Sequence, residues 1–187
     1  MLKRVFDIFL SLLFGIIFFI PFFIIAFIIK LTSDGPVLYW SKRIGTNNKI
    51  FLMPKFRTMY SGTPEVPTHE LETPNRYLTK IGNFLRRTSL DETPQLYSVL
   101  IGDMSIVGPR PALFNQNYLI EMRTNKGIHK LKPGLTGLAQ INGRDNIDDE
   151  KKTFFDLEYK DGMGFLLDLK IIFFTFFKIL KAEDVIH

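Results

Sequence analysis

The chain contains no cysteine, which excludes disulfides and thiolate metal sites and is compatible with a cytoplasmic location. Histidine is nearly as scarce. His69, His129 and His187 are the only three, and none has a partner at metal-ligand spacing, so no imidazole site is assigned. Neither of the common phosphate-binding glycine patterns, GxxxxGK[ST] or GxGxxG, is present, so nucleotide binding cannot be argued from them. There is no internal repeat, no low-complexity linker, and no second apolar run to match the first. A polytopic prenyl-phosphate transferase, which would need many apolar spans, is therefore the weaker enzyme reading. Acidic residues are outnumbered: 24 Lys and Arg stand against 19 Asp and Glu, for a net charge of +5 and a pI near 9.4. That balance suits an anionic partner such as phosphate, nucleic acid or a lipid head-group surface.

What the chain does have is Val5 to Ile29, an apolar run with only Asp7 and Ser11 as polar residues. It is too long for a signal-peptide core, and no small-residue cleavage site follows it. As a helix it is roughly 38 Å long, enough to cross about 30 Å of hydrocarbon. Length alone favours a span. Two features favour a re-entrant hairpin instead. Pro21 lacks an N–H and clashes with the preceding turn, so it predicts a kink near the middle. Basic residues also flank both ends, Lys3 and Arg4 before and Lys30, Lys42 and Arg43 after, which draws both ends to one side. The residues leave span and hairpin both open.

About 150 residues remain for one ordinary domain. Thr32 to Pro36 is a turn cluster. Val37 to Trp40 and Ile50 to Phe56 read as short strands, with Gly45 to Lys49 as a hairpin-like link. Ser61 to Pro74 reads as a surface loop, Arg76 to Leu85 as helical, and Ser89 to Leu100 as a helix stopped by Gly102. The start of that helix is ambiguous. Ser89 with Glu92 makes a capping box, and Thr93 with Pro94 is an equally good cap and first residue. Asn115 to Met122 and Asp148 to Lys160 read as helices, and Lys132 to Gly143 as a glycine-bearing loop. Phe165 to Lys181 is an amphipathic helix. Asp168, Lys170, Thr175, Lys178 and Lys181 gather opposite a broad phenylalanine-rich face, the pattern of an interfacial helix or of an ordinary core helix.

Four groups of residues can carry chemistry. Asp91 and Glu92 fall at a helix start beside Arg86 and Arg87, where carboxylates stay ionised. Such an Asp can hold Mg²⁺ or attack phosphorus. Gly108-Pro109-Arg110-Pro111 fixes the backbone around one guanidinium, aiming it at a phosphate or merely making a rigid turn. Lys55 and Arg57 share a strand face, either solvated or ligand-facing. Lys132 to Gly137 and Gln140 to Arg144 carry glycines that let backbone N–H groups approach a ligand, with Arg144 supplying charge.

Taken together, Lys55 to Met59, Arg86 to Leu96, Gly102 to Pro111, Lys132 to Gly137 and Gln140 to Arg144 resemble, in order and spacing, the small monotopic phosphoglycosyl transferases of the bacterial sugar transferase family. The likeness covers essentially the whole chain. It implies an α+β, mainly α fold, with residues 1–31 as a re-entrant membrane helix and residues 32–187 as a small cytosolic catalytic domain that includes the interfacial helix 165–181. It also implies transfer of a phospho-sugar from a UDP-sugar to undecaprenyl phosphate, with UMP released and a lipid-linked glycan begun. In this likeness Asp91 is the nucleophile and a Mg²⁺ ligand, and Glu92 is its dyad partner. Arg86 and Arg110 face phosphate, and Lys55 and Arg57 join them as substrate-binding residues. Gln140, Arg144 and Asp156 lie near nucleotide or sugar, and Pro21 breaks the membrane helix. Ile20 departs from the pattern, because a small hydroxyl residue often precedes that proline. An N-acetylated sugar, membrane lipids as partners, no nucleic acid, and the cytoplasmic face of a bacterial inner membrane follow at family level. The competing reading from another class is a non-catalytic, membrane-tethered protein that binds nucleic acid or anionic lipid through a basic face.

Overall fold

The apolar N-terminal run folds as two helices, α1 (Leu2–Ile17) and α2 (Phe19–Thr32), bent by 60° at Phe18. Pro21 is the third residue of α2, and its ring displaces the carbonyl of the residue four before it, which puts the bend just N-terminal to the proline. The helical bonds on either side persist, from Phe18 N to Phe14 O and from Phe22 N to Phe18 O, both at 2.8 Å. The computed structural model describes residues 2–64, 66, 73–143 and 147–181. Among these no single helix is long and apolar enough to cross a membrane; the bent pair passes that test together.

Both ends of the pair are fastened to the rest of the chain. Lys3 Nζ donates to Asp168 Oδ2 at 2.6 Å, and the guanidinium of Arg4 donates to the carbonyls of Val99 and Leu100. At the far end Ile25 and Ile29 pack with Phe56 and Leu85 in one buried cluster. Asp7 and Ser11, the two polar residues of the run, are buried on the inner face of α1. Leu10 and Phe14 pack against the main core of Met53, Leu96, Val99, Met104, Ile106, Val107, Tyr159 and Ile171. Packing therefore runs across the boundary drawn at residue 31, and α1 supplies part of the core it was expected only to anchor.

Two small sheets complete the frame. Strands β1 (Leu38–Ile44) and β2 (Ile50–Phe56) form an antiparallel hairpin, longer at its first strand than the sequence suggested, turned through Asn47 and Asn48 at positive φ. Alternation sends Ser41, Arg43, Phe51 and Met53 inward. Strands β3 (Ser105–Val107) and β4 (Gly134–Thr136) pair in parallel, with Ser105 opposite Gly134 and Val107 opposite Thr136. Strand β4 lies where a loop was expected, and β3 lies in a segment to which the sequence assigned no element. Around them stand α3 (Gly82–Arg87), α4 (Leu96–Ile101), α5 (Asn117–Asn125), α6 (Leu138–Ile141), α7 (Asp149–Gly162) and α8 (Phe165–Lys181). The mainly α, α+β class stands. The span expected to be helical over Arg76 to Leu85 is split into a 3₁₀ turn, Pro74–Tyr77, and α3. Asp148 caps α7, accepting from Lys151 N at 2.7 Å.

The outer helix α8 turns Asp168 and Thr175 toward the domain and leaves Lys170 exposed. Asp168 and Ile171 are buried, and Thr175 shares a hydrogen bond with Thr136 at 2.6 Å. Phe173, Phe174, Phe176 and Phe177 face outward. The hydrogen-bonding residues thus dock the helix rather than meet solvent, and the aromatic face is left uncovered.

The glycines of the Lys132 to Gly137 segment do something other than expected. A methyl group on Gly134 would overlap Gly108 N, Gly108 O and Thr136 O, and one on Gly137 would overlap Gly108 O. They allow two backbones to touch, closed by Gly108 N to Thr136 O and Gly134 N to Pro109 O, both at 2.9 Å. Overpacking of this kind costs about 1–3 kcal/mol. Gly134→Ala is expected to lower the midpoint of thermal unfolding of the detergent-solubilised chain by that equivalent, while Gly15→Ala, with nothing within 4 Å and a helix interior that favours alanine, does not lower it.

Candidate active site

A turn that breaks helical geometry sets the carboxylate pair. After α3 the chain passes Ser89, held at φ 55°, and enters a 3₁₀ turn over Leu90–Gln95 that carries Asp91 and Glu92 in its first turn and Pro94 inside it. Neither expected cap forms. The Ser89 side chain makes no capping bond, its carbonyl instead accepts from Glu92 N at 3.1 Å, and Thr93 Oγ1 donates back to Leu90 O at 2.9 Å. This 3₁₀ turn packs against β2, and both carboxylates line the cleft beside it. Regular helix begins only at α4, closed by Gly102 at φ 98°.

The pair lies on the wall of a cleft of about 610 Å³. Asp91 and Glu92 are 7% and 9% exposed, and among the described residues they are its only acidic lining. Among the described residues seven cations line the same cleft: Arg43, Lys55, Arg57, Arg86, Arg110, Arg123 and Lys152. That excess selects a ligand carrying several negative charges. Arg110 Nη2 donates to Glu92 Oε1 at 3.0 Å. Arg86 Nε donates to Thr58 Oγ1 at 3.1 Å, and its Nη2 lies 3.2 Å from Met59 Sδ. Arg57 donates to Ser33 O, Ser33 Oγ and Asp34 O, reaching them past Gly35 at φ 111°. Its guanidinium thus ties the end of α2 to the cleft rim. Lys55 extends from β2 among these groups. Burial first, then the charge of Arg43, pulls its ammonium down to about 7, against the opposing pull of Glu92 and Asp91.

Two expected site residues stand apart. Asp156, 1% exposed on α7, does not line the cleft. Its Oδ2 accepts from Arg123 Nε and Nη2 at 2.9 and 2.6 Å, and burial raises its carboxyl against the pull of that same guanidinium. Arg123 Nη1 in turn holds Arg110 O at 2.8 Å, so Asp156 supports the cleft from behind. Gln140, on α6, is buried away from the cleft, with neither amide atom hydrogen-bonded. Arg144 lies outside the described residues, as do His69 and His187. Arg43, Arg123 and Lys152 were missed. Arg43 had been read only as a flanking cation, though its alternation with Ser41 on β1 carried the signal. Nothing local marks Arg123, whose partner lies 33 residues on.

Among the described residues no group of three or more His, Cys, Asp or Glu is placed to hold a metal ion. Asp91, with Glu92 beside it, could hold Mg²⁺, an ion that binds through one or two carboxylates, keeps waters and takes the rest of its shell from substrate phosphates. A carboxylate among fixed cations can attack a phosphorus whose own negative charge those cations neutralise.

Residues 1–182 match the family model described as bacterial sugar transferase. The chain is 43% identical over 95% of its length to the Escherichia coli UDP-glucose:undecaprenyl-phosphate glucose-1-phosphate transferase, of which it covers 40%. It is 36% identical, over 97% of its length, to the Salmonella typhimurium undecaprenyl-phosphate galactose phosphotransferase and covers 41% of it. A Bacillus subtilis protein named as an uncharacterized sugar transferase is 41% identical, and the chain covers 90% of it. The chain therefore spans about two fifths of the first two relatives and most of the third.

Lys55 offers a pH test of the cleft. A bound diphosphate raises the pKa of the ammonium beside it, so above about 7 binding must take up a proton. Affinity for a diphosphate diester, which does not itself titrate in this range, is expected to fall as pH rises through that value, by at most about tenfold per unit, and to lose this dependence in Lys55→Arg. Isothermal titration between pH 6 and 9 in buffers of different ionisation enthalpy measures both the affinity and the proton uptake.

Proposed function

The chain belongs to the bacterial sugar transferase family, and from that premise we propose that it moves a sugar-1-phosphate from a UDP-sugar to undecaprenyl phosphate. The observation that carries this reading is the nearly buried carboxylate pair in a cleft lined by seven cations. The Asp91 carboxylate attacks the phosphorus that bears the sugar. The bridging P–O bond breaks, and UMP leaves with the bridging oxygen. A phosphate oxygen of the lipid acceptor then attacks the same phosphorus, and the Asp91 carboxylate is released. Transfer through one side chain lets a water-soluble donor and a lipid acceptor use the cleft in turn.

The cations make this sequence feasible. Arg110, braced by Glu92 at one end and by Arg123 at its carbonyl, is held ready for the diphosphate. Lys55 and Arg86 add charge at the same wall. Asp91 would hold a Mg²⁺ at this wall, and the bound ion would supply Lewis-acid neutralisation of the developing charge. The relatives' names carry glucose and galactose, so the N-acetylated sugar expected from the sequence has no support in them; a UDP-hexose is the donor class proposed.

The membrane reading rests on geometry. The bent α1–α2 pair returns to the domain at both ends, as a re-entrant hairpin would, and its outer residues Phe9, Leu12, Ile16, Phe19, Ile20 and Phe23 are exposed and apolar. The phenylalanine face of α8 adds a second lipid-compatible surface. The proposed location is the cytoplasmic face of the plasma membrane.

Two measurements test the proposal. Asp91→Asn is expected to reduce UMP release from UDP-sugars with undecaprenyl phosphate and Mg²⁺ by about 10³-fold or more, with membrane association retained; near-normal turnover sinks the nucleophile assignment. The chain lacks cysteine, so Leu2→Cys introduces a single thiol. An impermeant maleimide added to sealed cells is expected to leave it unlabelled until lysis, and labelling from outside would instead require a span.

A further inference from the structure

We infer that Asp7, inside the apolar first helix, is a positioning residue for the cleft: it holds β3 and, through β3, the Gly108-Pro109-Arg110-Pro111 segment that aims Arg110. This deepens the transferase reading and rests on it. Asp7 is 3% exposed. Its Oδ1 accepts from Ser105 Oγ and from Ile106 N, each at 3.0 Å, and its Oδ2 lies 2.9 Å from the same hydroxyl. A helix that serves only as an anchor gains nothing from a buried carboxylate, whose desolvation opposes docking.

The backbone of β3 shows why the carboxylate is there. Along one edge, Ser105 N donates to Pro133 O and Gly108 N to Thr136 O, which uses that edge on β4 and the residue before it. The N–H of Ile106 points to the other edge, where no strand pairs with β3. Asp7 fills the place of the missing strand's acceptor. On that same edge Val107 O accepts from Tyr159 OH at 3.2 Å.

From Ile106 to Arg110 there is little slack. Pro109 and Pro111 fix φ on either side of the arginine, Pro109 O accepts from Gly134 N at 2.9 Å, and Arg110 O accepts from Arg123. A shift of β3 therefore moves the guanidinium relative to Glu92. A misplacement of about 1 Å can cost as much as 10²-fold in rate.

The test uses the full chain in lipid nanodiscs. Asp7→Leu is expected to raise hydrogen exchange across residues 105–111 but not along α7, and to lower kcat/KM for UMP release about 10–100-fold. Asp7→Asn can still accept from Ile106 N and donate to Ser105 Oγ, and is expected to recover to within about threefold of the unsubstituted chain. In an Arg110→Ala background Asp7→Leu is expected to cost less than about threefold more, because both changes act on the same group. A full multiplicative loss in that background overturns the inference. So does unchanged exchange over 105–111, or an asparagine as damaging as leucine. If Asp7→Leu does not accumulate as folded protein, Ser105→Ala, which removes one anchor and no charge, takes its place in the same cycle. If the unsubstituted chain releases no UMP from any UDP-hexose, the transferase reading falls, and the cycle is read instead on UDP affinity with the same criteria.

Discussion

Seven cations held around two carboxylates is the constraint to which the rest of the molecule answers. Like charges this close repel one another, and each would swing outward to water if its side chain were loose. The cleft prevents this by tying guanidinium groups to the main chain. Arg57 is held by the end of α2, Arg43 Nη1 donates to Pro111 O at 3.1 Å, and Arg123 spans from Asp156 to Arg110 O. The carbonyls absorb part of the charge and fix the direction of the rest. A ligand anion then meets donors already oriented, so little reorganisation is needed when charge moves in the reaction.

The same logic explains the backbone. Arg110 must stand opposite Glu92 on a segment that cannot yield. Two prolines restrict that segment, and the bare glycines of the neighbouring strand let it lie against a second backbone close enough to hydrogen-bond. The glycine-rich motif is therefore not a ligand cradle. It is the bed on which the arginine's support rests, and its value lies in the side chains it omits.

Much of this was legible in the residues. The tail helix over Phe165–Lys181, the strand Ile50–Phe56, the helix opening at Asp148 and the Gly102 stop all follow from local chemistry, and the structure places each of them as expected. The gathering of Asp91, Glu92, Lys55, Arg86 and Arg110 at one cleft is instead what the family resemblance implies, and all five line it. What was not legible is whatever depends on a distant partner. Strands of three residues, such as β3 and β4, have too few positions to show a period of two. Asp156 looks like a site residue until Arg123 is seen beside it. Ser89 looks like a cap until its left-handed backbone shows that the turn following it is 3₁₀.

The N-terminal run shows most clearly how a local signal can carry a tertiary meaning. Lys3 and Arg4 read as cations that set membrane orientation, and Asp7 and Ser11 as blemishes in an apolar stretch. In the fold Lys3, Arg4 and Asp7 make specific bonds to the domain, and Ser11 is buried with them along the inner face of α1. Helices that are apolar all round have no preferred rotation against a partner; a few polar groups with unique partners impose one. The polar residues of α1 are therefore what turns a greasy helix into a part with a defined register, and that register reaches β3, only a few residues from the arginine the cleft depends on.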